Sequence, residues 1–175
     1  VAPDGAGSDR GFGRPDGPPF DQPTDVAAWC GGSVLLRSGY LDDVGLFHEP
    51  FFLYYEDTDL SLRGRVRGWR YRYVPTAVAR HDHSASSGVG SSVFFHYTER
   101  NRLLLLVRNA PPGVVWREMR SYVAELLSTV RRELVEPLRR RRPPWPVVTV
   151  RRVRVLVSLG CLLPRELAGR LRLRR

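Results

Sequence analysis

The chain has 175 residues, enough for one ordinary core or for part of a larger domain. Its formal net charge is +10, and its 28 basic residues are all arginine, with no lysine or isoleucine, a bias that reads as genomic base composition. Two distant cysteines, Cys30 and Cys161, have no metal-like spacing and suit a reduced, cytosolic compartment, and neither a signal peptide nor the ~20-residue apolar run of a spanning helix is present. Because the first residue is Val1, the sequence is expected to be a segment of a longer product. Residues 1–110 carry 12 Arg against 13 acids, a net of −1, whereas residues 111–175 carry 16 Arg against 5, a net of +11. The basic character therefore belongs to the C-terminal part, and the remainder is nearly neutral.

Residues 3–25 are rich in Gly, Pro and Asp and read as an irregular loop. The run SVLLR at 33–37 reads as a short buried strand behind the Gly31-Gly32 pair, and 40–47 as a short helix or turn. A helix is predicted over 57–67, with acids in the first turn to complement the helix dipole and Gly68 to close it. Asp59 and Arg63 are spaced i, i+4 within it. Trp69 to Val74 alternates aromatic and basic residues, the period of a strand with one packed face. A polar loop spans 80–88, a helix covers 94–109, and the Ala110-Pro-Pro-Gly113 break precedes a second helix over 113–138. The Arg- and Pro-rich stretch 139–146 reads as a linker or hinge, and 147–175 as a basic amphipathic tail interrupted by Gly160 and Pro164. No internal repeat is visible.

The segment FFLYYEDTDL at 51–60 concentrates the chemistry, because Glu56, Asp57 and Asp59 follow directly on an apolar run. Ionised groups beside a buried segment must be solvated, hydrogen-bonded or paired, and a carboxylate at the rim of a dry pocket suits a general base. The competing reading is a helix N-terminus with solvated acids. His81 and His83 follow after one helix and one strand, which can return the chain to the same sheet edge. Two histidines are too few for zinc, while one imidazole can complete a Mg²⁺ or Mn²⁺ site with carboxylates and phosphates. A polar loop whose histidines bond to the backbone is the alternative, and His48 and His96 read as structural. Trp29 beside Gly31 and Gly32 offers a ring for a sugar and close backbone approach to a ligand, or else a packed Trp and a tight turn. Tyr97, Arg100 and Arg102 can present cations to a diphosphate, or form the wet side of a helix.

Taken in order, DRGFGRPDG, AAWCGGSVLLRS, VGLFHEPFFLYYEDTDLSLRGRVRGWRYRYVP, RHDHSASSG and RNRLLLLVRNAP resemble the second half of a family-2 glycosyltransferase of the rhamnosyltransferase-like branch, over roughly residues 8–112. The resemblance implies an α/β fold: part of a GT-A, Rossmann-like sheet lacking its N-terminal nucleotide-binding half and followed by C-terminal helices. It implies inverting transfer of a sugar from a nucleotide-diphosphate donor to a glycan or lipid-linked acceptor. Asp57 would be the general base, Glu56 would shape the site, and Asp59 would contact donor or acceptor. His81, 24 residues after Asp57, falls where related enzymes place a metal-coordinating histidine, with His83 as a substitute. Trp29, Gly31 and Gly32 would border the sugar and acceptor, and Arg100 the substrate. The divalent metal would be completed by residues outside this chain. The Asp-x-Asp and Gly-rich start of the missing half are absent, so the isolated chain is expected to show no turnover.

For the +11 region, charge alone allows nucleic acid, but no binding motif supports it. A peripheral contact with an anionic membrane, at the inner face of the cell membrane, fits an enzyme with a lipid-linked acceptor. The competing reading of the whole chain is a non-catalytic basic module that binds membrane or a partner.

Overall fold

The computed structural model describes residues 2–80, 88 and 90–173. The chain divides into two compact units, Val1–Ala85 and Ser86–Arg175.

The first unit is built on short elements. A 3-10 turn, Pro18–Phe20, precedes β1, Thr24–Val26, inside the stretch read from sequence as irregular loop. Next come α1 (Ser38–Val44), a 3-10 turn at Glu49–Phe51, α2 (Glu56–Val66) and β2 (Tyr71–Tyr73). β1 and β2 pair antiparallel with Thr24 opposite Tyr73 and Val26 opposite Tyr71. The expected strand at 33–37 does not form: this run has no strand partner among the described residues, and Leu35 is 98% exposed. Strand backbone needs a neighbour to take its N–H and C=O groups, and apolar character alone supplies none. A Rossmann-like sheet is therefore not formed by the described residues, which are mostly helical with this one two-stranded ribbon.

The unit's core gathers Trp29, Tyr40, Val44, Leu60 and Tyr71, with Val26, Leu36, Leu41 and Trp69 packed against it. Two tyrosine hydroxyls cross it to α2: Tyr40 donates to the Leu60 carbonyl at 2.7 Å and Tyr71 to the Ser61 carbonyl at 2.7 Å. Gly64 lets them approach, since a Cβ there would stand 2.6 Å from Tyr40 Cε2 and run into the Tyr71 hydroxyl. Gly68, at φ +88°, closes α2 as predicted. Its N–H reaches Arg65 O and the Trp69 N–H reaches Gly64 O, both at 3.0 Å, the paired bonds of a Schellman end.

The second unit is helical. α3 (Ser92–Asn109) starts two residues earlier than predicted because Ser91 Oγ accepts the Phe94 N–H at 3.0 Å. α4 (Pro112–Val130) passes through a wide π turn, Arg131–Val135, into α5 (Glu136–Arg139). Pro137 has no N–H for the Glu133 carbonyl, and the wide turn lies immediately before it. After the 140–146 loop, α6 runs unbroken from Val147 to Leu173. The expected interruptions at Gly160 and Pro164 do not occur. Both are on the exposed side, so the carbonyl that Pro164 leaves without a helix bond is open to water.

α6 is not a free tail. Leu103 to Val107 of α3 and Val155 and Leu159 of α6 are buried. Arg108 of α3 bonds Glu166 of α6, with the Glu166 side chain fully buried. Arg170 donates to Val107 O at 2.6 Å and Ala110 O at 2.5 Å, capping the C-terminus of α3 with a cation.

Candidate functional site

The approach to the acidic cluster is an unusual piece of backbone. Phe52, Tyr54 and Tyr55 have φ of 55°, 65° and 69°. For aromatic residues this left-handed region costs on the order of 1–2 kcal/mol each, and such outliers concentrate at functional sites. Tyr55 is the residue before α2, so these turns set where the first helical residues point. The apolar run only partly buries its surroundings: Phe51 is buried, whereas Phe52 is exposed.

Asp57 lies in the first turn of α2, half-buried. Its Oδ2 accepts the Gly31 N–H at 2.8 Å. Its Oδ1 accepts the Thr58 N–H at 2.6 Å and the Thr58 hydroxyl at 3.2 Å. A carboxylate has about four acceptor directions, so three donors fix its orientation and leave one, on Oδ2. The turn that brings Gly31 there is closed by Ser33 N–H to Cys30 O at 3.2 Å, and anchored to α2 by Trp29 N–H to Ser61 Oγ at 3.2 Å. Sequence reading passed over Thr58 and Ser61. Their only signal was a hydroxyl directly after an acid and one a helical turn further on.

Glu56 has a contrasting environment. Burial, opposed by its own backbone N–H and reinforced by the Asp57 charge, raises its carboxyl above the ordinary range. Its Oε2 is buried with no hydrogen-bond partner among the described residues. Two adjacent carboxyls thus differ: one is held by three donors and one is pushed toward its protonated form. Such separation is how neighbouring acids acquire different roles. Cys30 shares this surrounding, since partial burial and the charges of Asp9, Asp57 and Glu56 raise its thiol against the pull of a Gly32 backbone bond.

The other expected site residues are placed differently. Asp59 is fully buried and pairs with Arg63 at 2.9 Å, while Arg63 also donates to Val44 O and Leu46 O at 2.7 Å. It ties α2 to the end of α1 and offers no face to a substrate. Trp29 is 9% exposed, edge-on to Phe47 and part of the core, so its ring presents no open face for a sugar. Gly31 serves as the backbone donor to Asp57, and Gly32 is exposed beside it. Arg100 belongs to the second unit, is 7% exposed, and stacks over Tyr97 at 4.7 Å. Arg102 pairs with Glu99 at 3.5 Å and Glu118 at 3.4 Å, joining α3 to α4. His81 and His83 lie outside the described residues. An open hollow of about 500 Å³ lined by Arg37, Arg67 and Trp69 does not include Asp57.

A divalent metal is not accommodated by the described residues alone. Asp57 has most of its acceptor capacity filled, Asp59 is committed to Arg63, and no group of three or more His, Cys, Asp or Glu stands together among them.

Parts of the chain are similar in sequence to known proteins. Over 61 residues the chain is 43% identical to the N-acetylglucosaminyl-diphospho-decaprenol L-rhamnosyltransferase of Mycobacterium tuberculosis, a match covering 34% of this chain and 20% of that protein. Over 88 residues it is 36% identical to the rhamnosyltransferase WbbL of Escherichia coli, covering 45% of this chain and 33% of that one. The similarity is to rhamnosyltransferases. It supports a glycosyltransferase function in general, and the matched regions span a fifth to a third of the length of these rhamnosyltransferases. No family model and no solved structure matches the chain.

Proposed function

We propose that this chain supplies the general-base side of an inverting glycosyltransferase, with Asp57 as the base. The observation that carries the reading is the Asp57 carboxylate, held by Gly31 and Thr58 with one acceptor direction left on Oδ2. An acceptor hydroxyl bonded there would pass its proton to Asp57 as its oxygen attacks the anomeric carbon of the donor. A new C–O bond forms on one face while the bond to the diphosphate breaks on the other, so configuration inverts. Deprotonation during attack is what a positioned carboxylate contributes, typically 10²–10⁴-fold. Glu56, with its raised pKa, would keep a second negative charge from accumulating beside the base.

The similarity to rhamnosyltransferases favours rhamnose as the sugar, a nucleotide-diphosphate donor, and a cell-envelope or lipid-linked glycan as acceptor. The divalent metal expected from the sequence would need ligands beyond the described residues, and no step here runs through it. The test is Asp57→Asn in an active transferase that contains this chain. Transfer should fall at least a hundredfold with donor affinity little changed. Turnover close to the parent's would remove Asp57 from the role.

A further inference from the structure

The second unit carries an outer face that its own packing leaves uncovered. The row Tyr122, Glu125 and Thr129 of α4, continued by Glu133 in the π turn, meets the first turns of α6. Tyr122 donates to Arg152 O at 3.3 Å, Glu125 pairs with Arg152 at 2.8 Å, and Glu133 accepts the Val148 and Thr149 N–H groups at 3.1 and 2.8 Å. The two helices are therefore antiparallel. α3 lies along one side of both, through Arg102–Glu118 and Arg108–Glu166. At about 100° per residue, Trp116, Val123 and Leu127 project from α4 on the side away from α3, as Val150, Val153 and Val157 do from α6. All six are exposed, Trp116 by 66% and Val157 by 61%. Trp145, just before α6, is 79% exposed.

The charge around this face has one sign. The six acids of the unit are all engaged internally: Glu99 and Glu118 with Arg102, Glu125 with Arg152, Glu133 with the start of α6, Glu136 with Arg131, and Glu166 with Arg108. Among the described residues, no carboxylate of the unit is left to neutralise exposed Arg120, Arg154 and Arg165 or the run 139–142.

We propose that the α4–α6 face docks on the surface of an anionic lipid bilayer. The aliphatic residues and Trp116 would enter the headgroup boundary, with the arginines on phosphates around them. An apolar stripe edged by arginine, with exposed tryptophans, is the composition of a helix lying in a membrane interface. No described helix is long and apolar enough to cross a membrane, so this contact would be peripheral. Nucleic acid would use the arginines but has no need of the aliphatic stripe. The inference rests on the second unit and is independent of Asp57.

The experiment is flotation of the 175-residue chain with phosphatidylglycerol-containing or pure phosphatidylcholine vesicles, with sedimentation of the free chain alongside. Binding to the anionic vesicles should exceed that to phosphatidylcholine at least tenfold. The set Arg120→Gln, Arg154→Gln, Arg165→Gln should weaken it by roughly fivefold per arginine. The set Trp116→Ser, Leu127→Ser, Val157→Ser keeps every arginine and should lose at least tenfold, with circular dichroism unchanged. Equal flotation of the serine set would reduce the contact to plain charge attraction and overturn the proposal. So would no flotation of the parent, or a dimer that the serine set dissolves, which would make this a face between copies.

Discussion

The two units solve different problems with different means. The first orients one carboxylate with short elements: three hydrogen bonds to Asp57, a turn at 30–33 and three aromatic residues in left-handed backbone. The second joins long helices through a leucine-rich stripe on α3 and a buried Arg108–Glu166 pair. Orientation of one side chain is set by backbone donors, whose positions are fixed by tight turns and close approaches. Attachment of a helix needs only a long matched face and a few charges.

The largest expected effect that separates the units is Asp57→Asn, which should abolish most transfer in the intact enzyme while the thermal transition of the second unit stays in place. Next is Glu166→Ala. Leaving the Arg108 guanidinium buried without its carboxylate should cost about 3 kcal/mol. Urea unfolding followed by helical ellipticity would report it, with donor turnover per folded molecule unchanged. If turnover fell in proportion to stability, the units would not be separable in this way.

Gly64→Ala tests the first unit. Its Cβ would collide with both tyrosines, an overpacking that typically costs about 1–3 kcal/mol. Near-ultraviolet circular dichroism of the Tyr40 and Trp69 environment should change before the helical signal does.

The smallest effect is a pH slope. Glu56 has its folded pKa raised above the ordinary 4.5, so in the window just above 4.5 the folded state binds more protons than the unfolded one. Stability contributed by the protonated form is present below 4.5 and lost as pH rises through the folded value. Glu56→Gln should flatten that decline, measured as urea midpoints between pH 4 and pH 7. Parallel curves for parent and variant would show that Glu56 is not in the environment described.

Much of the local structure was legible in the chain. Acids in the first turn and Gly68 at the end located α2, and Trp69 to Val74 located β2, because caps and period act within a few residues. The absent strand at 33–37 was not legible. SVLLR has strand composition, but pairing depends on a neighbour that composition does not contain. Pro164 and Gly160 misled for a related reason, since whether a helix survives them depends on which side faces water. In the acidic cluster, an apolar run ending in carboxylates singles out Asp57, and the structure adds its three donors. Asp59 looked equally available, and only the structure shows it buried and paired with Arg63.

Sequence by itself determined the acidic motif, the basic C-terminal region and the likeness to glycosyltransferases, since each is written in residue identity and order. Tertiary structure decided which carboxylate is held by backbone donors at a half-buried position, which is buried against an arginine, and which side of α4 and α6 stays uncovered. Those outcomes depend in part on contacts between residues far apart in the chain, such as Gly31 with Asp57, Arg63 with Val44 and Tyr122 with Arg152, that no local pattern encodes.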